Sequence, residues 1–151
     1  MVYDKTPPVT VKVEGTDDIA ELFQALSDDM KGAVLNAATQ SAALPILNRV
    51  RITIPEGGHT PYKSGTLRRG FFLNTVERGA TRCVVAVSTN VPYAARQEYG
   101  FVGKDKLGRI YNQPPRPYIR PAFDEKVDAS TTEFKAALTS IIERRARRAA
   151  N

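Results

Sequence analysis

The sequence predicts an α+β fold: a small antiparallel β-sheet packed with a long helix in its N-terminal half and another helix at the C-terminus. Three observations predict it. "FFLNTV" (71–76) and "TRCVVAVS" (81–88) are apolar runs rich in strand-forming residues, with a turn between them. An alanine-rich stretch from Ser27 toward Val50 is long enough for many helical turns. Phe123, Val127, Phe134, Leu138 and Ile141 recur as one apolar stripe at helical spacing.

The elements follow in order. "VTVKV" (9–13) alternates valines with polar residues, as a half-buried strand does, and Gly15 ends it. Thr16 caps a short helix whose Ile19, Leu22, Phe23 and Leu26 form one face. Ser27 is a second cap, with Asp28 and Asp29 at the positive end of the helix dipole. The long helix then runs through Met30, Val34, Ala37, Ala38 and Ser41, and Pro45 is expected to kink it or start a new turn. Residues 55–66, "PEGGHTPYKSGT", are polar and rich in Gly and Pro, so they read as an extended loop able to order on a partner.

Ser64 is expected to cap one turn through Leu67, Arg68 and Arg69. The two strands follow, joined at "ERGA" (77–80). Apolar residues on both faces predict that the second strand is central and covered on both sides, with Cys83 filling core space. Asn90 caps the next short helix, which Gly100 closes in a left-handed conformation. "GKDKLGRIYN" (103–112) reads as a turn into a short edge strand.

"QPPRPYIRPAFDE" (113–125) puts four prolines into nine positions. Pro114, Pro115 and Pro117 force a stiff extended strap, and Pro121 suits a first helical position. "STTE" (130–133) resembles a capping box, so the last helix is expected to break there.

The 151 residues suit one domain spanning 1–151, with no internal repeat. No apolar run reaches the roughly 20 residues that a membrane crossing needs, and no secretory signal opens the chain. The single cysteine, Cys83, precludes an intrachain disulfide. The formal charge is +6, which permits contact with nucleic acid. Its distribution is uneven. Six acids and no Lys or Arg lie between Val13 and Met30, while the rest of the chain holds all 22 basic residues. Such a chain can pair head to tail with a copy of itself, or the acids can simply favour helix starts.

Little points to catalysis. His59 is the only histidine and lies in a Gly-Gly-His loop, too few ligands for zinc. No phosphate-cradling Gly loop and no nucleophile elbow is present. Asp17/Asp18, Asp28/Asp29 and Asp124/Glu125 stand at helix starts, where capping and dipole effects account for them. The sequence therefore predicts no cofactor, no metal and no enzyme. A basic nucleic-acid-binding protein, or a small toxin-type ribonuclease using Arg, Lys, Tyr and Glu, are the alternatives. "ERRARR" (143–148) could touch phosphates, but no aromatic residue is interleaved there to stack on bases.

Four blocks in order carry a resemblance: "ILNRVRITIP" (46–55), "SGTLRRGF" (64–71), "VPYAARQEYG" (91–100) and "RPYIRPAFDE" (116–125). The chain resembles the small tail-component proteins of lambdoid-type tailed bacteriophages, the tail-completion or head–tail joining (neck) family. In that family a Thr-Gly-x-Leu-Arg turn, a Tyr-Ala-x-x-x-Glu-x-Gly helix end and an Arg-Pro-x-hydrophobic-x-Pro-Ala strap recur. Ser64 stands where Thr is usual. The resemblance spans about residues 10–142.

The resemblance implies a virion structural protein of the neck or tail, assembled in the host cytoplasm. It implies a tail-completion or tail-terminator role within a homo-oligomeric ring, six-fold in related components, around the DNA channel. Neighbouring connector or stopper and tail-tube proteins would be its partners, with non-specific contact to genomic DNA and none to a membrane. The residues carried over to interface and structural roles are Thr66, Leu67, Arg68, Tyr93, Glu98, Gly100, Arg116, Pro117, Arg120 and Pro121. Glu98 is expected to pair with Arg116 or Arg120, with Tyr93 in the core. Arg68, Arg69, Lys104, Lys106, Arg144, Arg145, Arg147 and Arg148 are the candidates for the channel lining.

Overall fold

A computed structural model describes residues 17–54 and 64–149. In chain order these form α1 (Asp17–Gln24), α2 (Asp28–Thr53), α3 (Thr66–Arg69), β1 (Phe71–Arg78), β2 (Cys83–Thr89), α4 (Ala94–Tyr99), β3 (Phe101–Lys104), β4 (Ile110–Gln113) and α5 (Ile119–Ala149). The α+β class is the one expected. The expected strand 9–13, the Thr16 cap, most of the 55–66 loop and His59 lie outside the described residues.

Helix α2 is the centre of the architecture. The β1–β2 hairpin packs on one side of it and α5 on another. This explains a sequence that shows no single apolar stripe: a helix with two covered sides needs apolar or small residues around much of its circumference. Val34, Ala38, Ile46, Leu47 and Val50 are all buried. The helix continues through Pro45 without a break. Ser27 holds the N-cap position with extended backbone, but its hydroxyl makes no capping bond.

The hairpin runs back along α2. Its start lies at the C-terminal end of the helix, where Arg51 Nη2 donates to the Phe71 carbonyl at 2.5 Å. Midway, Thr75 Oγ1 donates to Asn36 Oδ1 at 2.8 Å. Its turn lies over Gly32, close to the Gly79 carbonyl. That turn is displaced two residues from the expected 77–80. Arg78 still pairs with Cys83, and the Gly79 N–H donates to the Arg82 carbonyl at 2.7 Å. A β-bulge at Val76 switches the strand's facing, so Phe71, Leu73 and Thr75 lie on the α2 side before it.

The expectation of a central β2 is not met. Among the described residues β2 pairs only with β1, and all its side chains are partly buried. Val85 and Val87 lie opposite Thr75 and Leu73 on the face toward α2, whereas Val84 and Ala86 lie on the other face. Cys83 is half-buried, with its thiol 3.7 Å from Asn36 Oδ1.

Helix α5 is one uninterrupted helix, so the expected break at 130–133 does not occur. Thr131 and Thr132 donate their hydroxyls back to the Val127 and Asp128 carbonyls, at 3.0 and 3.1 Å. Those bonds satisfy the side chains without leaving the helix. Ser130 is buried, and its hydroxyl has no partner among the described residues. An unpartnered buried hydroxyl costs about 1 kcal/mol or more, and alanine is the better helix former. Ser130→Ala is therefore expected to raise stability by about 1 kcal/mol, read as an increase in the urea midpoint; a decrease would show that Ser130 has a partner.

Across the α2–α5 interface Arg49 Nε lies 2.5 Å from Glu125 Oε2. Lys126 and then Arg49 hold the Glu125 carboxyl below the usual carboxylate range, against the opposing effect of desolvation.

Candidate functional site

The core lies where the end of α2 meets α3, α4 and the start of α5. Ile46, Leu47, Val50, Ile54, Leu67, Phe71, Ala94, Tyr118 and Ala122 form one buried cluster. Phe71 and Tyr118 meet edge to face, with ring centroids 5.6 Å apart. The Tyr118 hydroxyl donates to the Ala94 carbonyl at 2.7 Å. Helix α4 and the strap are thereby tied over this core.

Glu98 completes the tie. It is buried at 5% exposure. Its Oε2 accepts the Tyr118 and Ile119 N–H groups at 2.8 and 3.1 Å, and its Oε1 accepts that of Arg120 at 3.3 Å. A helix start leaves four N–H groups without intrahelical partners. Glu98 takes three of them, and the fourth position is Pro121, which has no N–H to satisfy. The carboxylate also faces the positive end of the α5 dipole.

This corrects two expectations. Glu98 does not pair with the Arg116 or Arg120 side chains; both residues are exposed, and the carboxylate bonds to main chain instead. Helix α5 begins at Ile119, two residues before Pro121. A cap supplied from twenty residues upstream allows that earlier start, because no neighbouring side chain has to provide it.

Gly100 ends α4 with φ 75° and ψ 175°. The positive φ was expected, but the backbone is extended in ψ rather than left-handed helical, in a region almost closed to other residues. A Cβ there would stand 2.7 Å from the Gln113 carbonyl oxygen and 2.9 Å from the Pro115 nitrogen. The strap thus lies directly against Gly100. Beside it the Arg116 N–H donates to the Gln97 carbonyl at 2.7 Å. Pro117 is exposed.

The third motif enters the same core from below. Leu67 is fully buried within it, while Thr66 is exposed and Arg68 half-buried. The N-cap of α3 is Gly65, in the left-handed conformation at φ 64°, and not Ser64. Ser64 sits one residue outside, its hydroxyl 3.4 Å from the Thr66 N–H. Tyr93 is half-buried against the cluster and is itself the N-cap of α4, the place expected for Asn90. Three motifs that are separate in sequence therefore form one braced unit.

The proposed channel cations lie on three elements. Arg68 and Arg69 are on α3, where Arg69 donates to the Ser64 carbonyl at 2.5 Å. Lys104 and Lys106 are exposed on the β3–β4 arm. Arg144, Arg145, Arg147 and Arg148 end α5, where Arg147 pairs with Glu143 at 3.3 Å. An open surface depression there is lined by Ser140, Glu143, Arg144, Arg147 and Arg148. Among the described residues no group of His, Cys, Asp or Glu is placed to hold a metal ion, and no helix is long and apolar enough to cross a membrane.

Residues 103–112 are more structured than a turn before an edge strand. They belong to a second antiparallel hairpin, β3–β4, in which Phe101 faces Gln113 and Lys104 faces Ile110. The Arg96 guanidinium lies 4.3 Å from the centre of the Phe101 ring. Sequence reasoning also passed over Tyr118 and Gln97, both buried. The signal for Tyr118 was an aromatic residue between Pro117 and Pro121, where a solvated strap would not need one.

Residues 17–100 match one family model, described as "Bacteriophage HK97-gp10, putative tail-component". The match includes the 64–71 motif and the 91–100 motif with Glu98, and ends before the strap. No curated protein and no solved structure matches the chain.

Proposed function

Since the chain belongs to the HK97-gp10-like family of bacteriophage tail components, we propose that it is a single-domain neck protein that joins the head connector to the tail tube. As a tail component it is a virion protein whose work is contact with other virion proteins. In the proposed role its copies form a closed ring, a hexamer, around the DNA channel, and complete or terminate the tail. The 55–66 loop docks on the neighbouring connector or tube protein. Basic side chains among Arg68, Arg69, Lys104, Lys106 and the α5 arginines touch passing DNA through its phosphates alone, loosely enough for it to slide.

One observation carries this reading. The carboxylate buried among the described residues, Glu98, is saturated by main-chain donors and holds a helix in place. A group so occupied serves rigidity, which a joint under load requires, rather than proton transfer.

Imaging assembled particles with this chain labelled at its C-terminus tests the proposal. Density at the neck is expected, together with heads that fail to join tails when residues 57–63 are deleted. Label spread along the tail tube, or normal particle yield from the deletion, would refute it. RNA cleavage by the pure chain would instead support the nuclease alternative.

A further inference from the structure

The β3–β4 arm contradicts the usual economy of a small protein. Among the described residues its two strands pack chiefly on each other. A lone two-stranded hairpin is marginal in water, and this one presents Val102, Leu107 and Ile110 at 78%, 78% and 76% exposure. Val102 and Ile110 share the face that also carries Lys104 and Asn112, since each strand position lies opposite its partner on the same side. The opposite face holds Phe101 and Tyr111, their rings 6.4 Å apart. The outward face is therefore apolar with a positive edge.

The tip is built to hold this shape. Asp105 Oδ1 accepts the Leu107 and Arg109 N–H groups at 2.8 and 3.0 Å. Its Oδ2 accepts Arg109 Nε at 2.6 Å and the Tyr111 hydroxyl at 3.3 Å. Desolvation would raise the Asp105 pKa, but the bonds from Arg109, Leu107 and Tyr111 together lower it below the usual carboxylate value. An ordered tip ending in an exposed leucine is preorganised for docking, because little entropy remains to be lost.

The same chain offers a complementary surface. From Ala20 to Met30 it carries Glu21, Asp28 and Asp29, all exposed, and no base; the next residue, Lys31, reaches back to Asp28 at 3.6 Å, but its side chain is only 16% exposed whereas that of Asp28 is 85% exposed. Leu22 and Met30 stand exposed among them. The arm instead has Lys104, Lys106 and Arg109 against the single Asp105.

We propose that the β3–β4 arm of one copy docks on the acidic, apolar surface formed by α1 and the start of α2 on the next copy. Leu107, Val102 and Ile110 meet Leu22 and Met30, while Lys104 and Lys106 face Asp28 and Asp29. Two different surfaces on each chain make a head-to-tail contact, the kind that closes into a ring. The inference rests on the ring reading above and specifies its interface.

Sedimentation of the full chain over a range of concentrations, in low and high salt, tests it. The wild-type chain is expected to assemble, and less so at high salt, where surface charges are screened. Leu107→Asp with Ile110→Asp should raise the half-assembly concentration at least about tenfold while leaving the melting curve nearly unchanged. Lys104→Glu with Lys106→Glu should weaken assembly too, and adding Asp28→Lys with Asp29→Lys in the same chain should restore it. If the wild type assembles and the arm variants assemble equally well, this interface is overturned and the ring reading stands. A wild-type chain that stays monomeric throughout overturns both.

Discussion

Glu98→Ala is expected to remove about 3–4 kcal/mol of stability, since hydrogen bonds to a charged group contribute roughly 1.5–3 kcal/mol each and are not additive. The loss is large against a typical total of about 5–15 kcal/mol. It arises because three N–H groups at the start of α5 lose their acceptor together, one of them on the buried residue Tyr118. Urea denaturation followed by circular dichroism reads it, and the melting temperature should fall by roughly 10 °C. Glu98→Gln should lie between, because one amide oxygen can serve only two of the three donors. Arg116→Ala and Arg120→Ala should each stay within about 0.5 kcal/mol of wild type. A Glu98→Ala midpoint equal to wild type, or an Arg116→Ala loss as large as that of Glu98→Ala, would remove the case for a main-chain cap. Protease sensitivity at the strap should rise in the Glu98 variants, linking the cap to the rigidity that the proposed joint uses.

Gly100→Ala should be about as damaging, by a different mechanism. The added methyl group meets the Gln113 carbonyl oxygen at 2.7 Å and the Pro115 nitrogen at 2.9 Å, both main-chain atoms that cannot rotate away. The backbone at φ 75° and ψ 175° is itself unfavourable for alanine. The conformational cost is about 1–3 kcal/mol and the overpacking cost about 1–3 kcal/mol, so a loss near 4 kcal/mol is expected. Gly108→Ala separates the two contributions. Gly108 has φ 78° but open space around it, so only the conformational cost of about 1–2 kcal/mol should appear. Equal losses at the two positions would mean that the strap does not press on Gly100.

Local chemistry foretold much of this molecule. The strand pair, the long α2, the short α4 ending at Gly100 and the C-terminal helix could all be read from composition, apolar spacing and helix-end residues. So could the family, from motifs whose residues are now seen to share one core. The misplacements are instructive. The hairpin turn moved to Gly79–Arg82 because β1 runs past its apolar stretch, through Glu77 and Arg78, while β2 begins two residues later than its own, at Cys83. The "STTE" segment stayed helical because Thr131 and Thr132 found carbonyls one turn back. Both cases turn on polar residues, whose bonds can be made in more than one local conformation.

The chain on its own determined most of the helical and extended segments, because those properties follow from backbone preferences and from side-chain spacing within a few residues. Tertiary structure alone decided that Glu98 would cap α5 rather than pair with an arginine. It alone decided that α5 would start at Ile119, and that the apolar residues of β3–β4 would face outward. Each of these depends on groups far apart in sequence meeting at hydrogen-bond or contact distance. A pattern of apolar and charged residues records that such groups need partners, but not which partners the folded chain brings to them.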